Sequence, residues 1–110
     1  MPRGAGRQRG VQRERSVRDL LIASGWVAFR APASLGVADV IALKAGQRPK
    51  MIEVKSTAGG PYERFSPADR AELRLAAELA GAEALLAYWP SRKSLQWIPS
   101  DSWPKERETA

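Results

Sequence analysis

The stretch Met51-Ile52-Glu53-Val54-Lys55-Ser56-Thr57 decides how this chain is read. Its apolar, β-branched start predicts a short strand. Side chains alternate faces along a strand, so Glu53 and Lys55 share one face while Ile52 and Val54 take the other. A carboxylate and an ammonium at the rim of a core strand are costly unless a partner, a metal or water meets them. Fourteen residues before Glu53, Asp39 opens a second apolar run, Asp39-Val40-Ile41-Ala42-Leu43. An Asp on one strand and a Glu-x-Lys on its neighbour are able to hold a divalent cation beside a phosphate. A surface hairpin with a Glu–Lys ion pair accounts for the same spacing, because charged pairs are common on strand faces.

Composition narrows the chemistry. The 110 residues suffice for one domain with one core. With no Cys there is no disulfide framework and no thiolate metal site, and with no His there is no His-based general base and no His-ligated zinc. Any metal must therefore take oxygen ligands, which favours magnesium or manganese. No apolar run is long enough to cross a membrane, and the basic N-terminal stretch lacks the apolar segment of a signal peptide. The expectation is a soluble, cytoplasmic protein with no membrane partner. The net charge is +6, and 13 of the 18 basic residues are Arg, whose planar fork suits phosphate. No basic amphipathic helix with a bulky apolar face is present, so nucleic acid is the expected partner. Ribosomal and many thermophilic proteins share such basicity.

Outward from the central stretch, residues 1–10 carry Arg3, Arg7 and Arg9 among Gly, Pro and Gln. They read as a basic flexible arm, either contacting phosphate or merely solubilising. Residues 11–24 have helical spacing and stop at Gly25, with Val17, Leu20, Leu21 and Ser24 inward and Arg13, Arg15 and Arg18 outward. Glu14 falls on or beside the inward stripe, either capping the helix N-terminus or reaching a metal site. Residues 26–30 read as a strand. The loop 31–38 holds Pro32, Ser34 and Gly36, and Ser34 either approaches a phosphate or completes an ordinary turn. The strands 39–43 and 51–55 form an antiparallel pair around a turn at 45–49, which brings Asp39 to the Glu53–Lys55 end.

Beyond the central strand, residues 56–65 read as a mobile, substrate-binding loop. Ser66, Pro67 and Asp69 start a helix that runs to residue 80, with Leu73, Ala76, Ala77 and Ala80 on one face and Gly81 as its stop. Arg64, Arg70 and Arg74 lie at its loop end and exposed flank, positioned for phosphate or simply solvated. Residues 83–89 read as a strand parallel to the Met51 strand through a crossover, 94–98 as an edge strand, and Trp103 as folding back on the core. Residues 11–103 thus make a single domain, and 104–110 a disordered tail.

This order of pieces resembles the PD-(D/E)xK nuclease superfamily, and more narrowly the archaeal-type Holliday junction resolvases. The similarity covers about residues 9–98 and is carried by RGVQRER, GWVAFRAPASLGVADVIAL, MIEVKST and the Arg70 helix. One departure is Ala38, where the superfamily name implies Pro. The resemblance implies a restriction-endonuclease-like α/β fold, a mixed sheet of about five strands flanked by two helices. It implies that Asp39 and Glu53 ligate magnesium, with manganese able to substitute. Lys55 would position or deprotonate the attacking water, or stabilise charge on the phosphate. Glu14 matches the N-terminal acidic residue of these active sites and would join the metal set, and Ser34 matches a loop serine. Arg15 and Arg30 match basic residues near the scissile phosphate. A homodimer cutting two opposed strands of a four-way junction is also implied.

The chemistry is coherent without the family name. Phosphodiester hydrolysis needs a nucleophile and neutralised charge, which carboxylate-bound magnesium, Lys and Arg supply. The expected DNA contacts are Arg9, Arg13, Arg15, Arg30, Arg64 and Arg70. A symmetric pair of cuts calls for a protein two-fold, with Leu75, Leu79 and Trp89 as apolar candidates for its interface or for the core. Competing readings are a restriction or repair nuclease with the same residues, a non-catalytic DNA-binding module on this fold, and a basic structural or ribosome-associated protein.

Overall fold

A computed structural model of the chain describes residues 2–31, 37–91 and 94–105, with the side chains of residues 2–9 and 91 outside the description. Ser34, the Arg9 side chain and residues 106–110 therefore lie outside the described residues. The elements run α1 (Pro2–Ala23), β1 (Val27–Arg30), β2 (Val40–Leu43), β3 (Lys50–Lys55), α2 (Pro67–Ala80), β4 (Glu83–Ser91) and β5 (Ser94–Pro99), followed by a 3-10 turn, Ser100–Ser102. The five strands form one mixed sheet in chain order. β1, β2 and β3 pair antiparallel, β3 and β4 parallel, and β4 and β5 antiparallel. The expected α/β fold and the crossover from β3 through α2 to β4 are both present.

Strand alternation divides the core into two clusters. Val40, Ala42, Ile52, Val54, Leu85 and Ala87 pack under Val17 and Leu21 of α1. Ala84, Leu86 and Tyr88 pack with Leu73 and Ala77 of α2, together with Phe65 and Trp103. Adjacent β4 residues alternate between the two clusters, so the helices cover opposite faces of the sheet. Trp103 returns to the core as expected, edge-on to Phe65 at 4.9 Å.

Three expectations are corrected. Helix α1 starts at Pro2, so residues 2–10 are helical rather than a flexible arm; Arg and Gln favour helix, and Pro suits its first position. The buried row of α1 is Val17 and Leu21, while Leu20 is 48% exposed and Ser24 is exposed. Arg13 sits four residues before Val17 on that same row and turns inward rather than outward. In the 56–65 loop, Thr57 Oγ1 donates to the Gly60 carbonyl at 2.6 Å, and Tyr88 Oη donates to the Thr57 carbonyl at 2.9 Å.

Helix α2 has the ends its sequence predicts. Ser66 Oγ accepts the Asp69 N–H at 3.1 Å, and Gly81 closes the helix at φ 67°, where a side chain would be strained. Ala80 is nevertheless exposed, leaving Leu73 and Ala77 as the buried apolar residues of the helix.

Candidate active site

Asp39 lies one residue ahead of β2 and is held by the sheet ladder. Its N–H donates to the Ile52 carbonyl at 2.8 Å, and its carbonyl accepts from Ala31 N at 2.9 Å. Its side chain reaches across the same strand pair, where Oδ2 accepts the Val54 N–H at 2.8 Å. Val54 is the residue between Glu53 and Lys55. The antiparallel register alone therefore places the Asp39 carboxylate beside the charged pair.

Glu53 Oε2 and Lys55 Nζ are 3.1 Å apart, with both side chains largely buried. Alternation along β3 turns them toward the α2 side, since Ile52 and Val54 belong to the α1 cluster. From the α1 side, Glu14 Oε1 accepts the Arg30 Nε–H at 3.0 Å. Arg30 is the last residue of β1, so helix α1 and strand β1 bring this second pair to the same end of the sheet.

These groups share one electrostatic environment. Burial raises the Asp39 pKa, the Val54 N–H draws it back, and the Glu14 charge raises it again, against Lys55 and Arg30. Burial pushes the Glu53 pKa up to about 7, and the Asp39 charge adds to it, while Lys55 opposes. The two carboxylates thus hold a proton that an ordinary pair would release well below neutrality. A largely buried pair of hard oxygen donors is a fitting seat for a divalent cation, which would favour their ionised forms. Among the described residues no three acidic side chains gather into a metal-binding group. Glu14, expected as a third ligand, has its Oε1 engaged by Arg30.

A family model for archaeal Holliday junction resolvases (Hjc) matches residues 5–110. The chain belongs to this family. Among solved structures, Hjc from Archaeoglobus fulgidus, a Holliday junction resolvase from an archaeal hyperthermophile, aligns with a TM-score of 0.70 at 27% identity. The alignment covers 84% of this chain and 74% of that one. No curated protein matches the chain. The family resemblance drawn from the motifs is borne out, and so is the fold class.

The remaining candidate residues of this chain divide by burial. Arg15 and Arg64 are exposed. Arg13 lies over the Trp89 ring at 4.6 Å. Arg70 is a correction: it is only 2% exposed, donates to the Phe65 carbonyl at 2.5 Å and stacks over Tyr62 at 5.2 Å. Its position one helical turn behind Leu73 puts it on the core side of α2, so it braces the loop rather than facing a ligand. Sequence reasoning missed two participants. The Val54 N–H carries no side-chain signal, and Asp69, read only as a cap residue, adds its charge to those raising the Glu53 pKa. No helix among the described residues is long and apolar enough to cross a membrane.

Proposed function

We propose that this chain is a divalent-metal-dependent endonuclease that resolves four-way DNA junctions through paired, symmetric phosphodiester hydrolysis. The observation that carries the reading is the convergence of Asp39, Glu53 and Lys55 at one strand end, tied through Val54, in a chain of the archaeal resolvase family.

Asp39 and Glu53 would hold the cation, magnesium with manganese able to replace it. When bound, such a cation supplies Lewis acidity to the phosphate being cut. Lys55, kept in place by Glu53, presents an ammonium where negative charge grows in the transition state, and orients the attacking water. Glu14 fixes Arg30 through Nε, which leaves the terminal guanidinium nitrogens for phosphate oxygens. Arg15 and Arg64 extend the contact along the backbone, with Arg9 and Ser34 as further contacts that the sequence nominates.

Two cuts related by the two-fold of a junction call for two sites related by a protein two-fold, hence a homodimer. Helix α2 packs on β3 and β4, and on that side of β2 Ile41 packs against the α2 cluster. Val27, Phe29 and Leu43 are exposed on β1 and β2, and Leu75 and Leu79 are exposed on α2 itself, Leu79 by 80%. These residues supply an apolar surface for a second copy. Trp89 packs with the α1 cluster and drops out of the candidates for that surface. A DNA-acting resolvase of this kind works inside the cell.

The decisive assay incubates the protein with a labelled four-way junction and a matched linear duplex, with magnesium or EDTA, beside Asp39→Asn. Paired nicks on the junction alone, lost in EDTA and in the variant, are expected. Cutting of both DNAs would leave a restriction or repair nuclease. Tight binding without cutting under any metal would leave a binding module.

A further inference from the structure

Arg13 and Trp89 make a contact that neither the fold nor the hydrolysis above requires. Arg13 begins the buried row of α1 that continues through Val17 and Leu21, and its guanidinium lies 4.6 Å over the Trp89 ring. The Arg13 Nε and the Trp89 Nε1 are both buried without a hydrogen-bond partner among the described residues. No described carboxylate pairs with Arg13. Two buried, unpaired donors weaken a fold, and an aliphatic pair would fill the same space without that loss.

The placement gives the contact a purpose. Trp89 follows Tyr88, the register partner of Lys55, so the stack stands at the catalytic end of the sheet, on its α1 face. Arg13 immediately precedes Glu14, which holds Arg30. The β4–β5 register breaks between Tyr88 and Ser91, where Pro90 has no N–H to offer the ladder. A guanidinium held by a ring rather than by a carboxylate keeps its full charge for an outside anion. Its planar fork matches the two oxygens of a phosphodiester.

We propose that Trp89 is a positioning residue for DNA binding. Its ring holds Arg13 flat against the sheet end, so that the terminal N–H groups of Arg13 engage a backbone phosphate of the DNA arm leaving the site across α1. The proposal rests on the junction-binding reading above.

The test is junction affinity as a function of salt for the full chain and for Arg13→Gln, Trp89→Leu, Trp89→Phe and the double variant Arg13→Gln/Trp89→Leu, with thermal melts as a fold control. Arg13→Gln is expected to weaken binding roughly tenfold at low salt and to lower the salt slope by about one phosphate contact. Trp89→Leu should do the same, and the double variant should be no worse than either alone. Trp89→Phe keeps the ring face, loses the orphaned N–H and should restore both affinity and slope. A merely structural Trp89 would change the melt and leave the salt slope at the wild-type value. The proposal is overturned if Arg13→Gln keeps wild-type affinity and slope, or if the two single losses add. Should Trp89→Leu fail to fold, Arg13→Gln and Trp89→Phe decide in the same assay. Failure of the wild-type chain to bind the junction would overturn the proposed function, and this inference with it; binding that is indifferent to Arg13 sinks this inference alone.

Discussion

Asp39 Oδ2 accepts the Val54 N–H at 2.8 Å, so a carboxylate just ahead of β2 is bonded to the backbone between Glu53 and Lys55 on β3. This single bond aligns the two halves of the site. It commits Oδ2 and leaves the other oxygen of the carboxylate to face the charges around it. It also partly offsets the loss of solvation that raises the Asp39 pKa.

Asp39→Asn preserves an oxygen able to accept from Val54 and removes the charge. The variant should fold with a melting temperature equal to or above that of the metal-free wild type, because the charge that burial and Glu14 disfavour is gone. Junction cleavage should fall at least about a hundredfold, and magnesium should no longer raise the melting temperature. A variant that cuts at the wild-type rate would remove Asp39 from the site.

The Glu53 pKa, raised from 4.5 to about 7, makes stability depend on pH. The folded carboxyl binds its proton more tightly than the unfolded one. The resulting stabilisation is complete below about 4.5 and is lost as pH rises through about 7. Asp39, shifted in the same direction, adds to the trend. Thermal melts in EDTA across that range should show falling stability. Glu53→Gln should flatten the curve, and so should saturating magnesium, which favours the ionised pair. Melts that rise with pH over this interval would contradict the coupled carboxylates.

Arg70 is a structural residue, and its replacement should show it. Arg70→Met leaves the Phe65 carbonyl without its donor and removes the stack on Tyr62. The expected loss is about 1–3 kcal/mol, or a melting temperature lower by roughly 5–15 °C. The salt slope of DNA binding should stay unchanged. A lowered slope with an intact melt would return Arg70 to the DNA contacts.

The proposed dimer depends on apolar surface that charge should disrupt. Leu79→Glu, alone or with Phe29→Glu, removes side chains that the single chain leaves exposed, so the monomer fold should be unaffected. Light scattering should then report only the 12.1 kDa chain at micromolar concentration, and paired junction cuts should become single, uncoordinated nicks. A wild-type protein already monomeric under those conditions would discard the dimer.

Much of the site was legible because strand chemistry is local. Glu53 and Lys55 had to share a face, and the short turn at residues 45–49 made an antiparallel return that set Asp39 beside them. Helix α2 announced itself through Ser66, Pro67 and Gly81. Arg13 and Arg70 were misjudged for one reason: Arg on a helix is ordinarily read as solvated, and only an aromatic partner in space overrides that. The row 13, 17, 21 was a signal available in the spacing, but its aromatic partner, Trp89, lies on β4, far along the chain.

The sequence by itself determined the kind of chemistry open to this protein. Without Cys or His, any metal must take oxygen ligands, and Asp39, Glu53 and Lys55 on neighbouring segments were the candidates to meet it and a phosphate. Element order, strand pairing and the crossover followed from periodicity and turn residues, which act over a few positions. Tertiary structure alone decided which charges meet. It turned Glu14 to Arg30, bound Asp39 to the Val54 backbone, drew Asp69 toward Glu53, and buried Arg70. Burial and through-space charge set those pairings and their proton affinities, and both arise only when distant segments pack together.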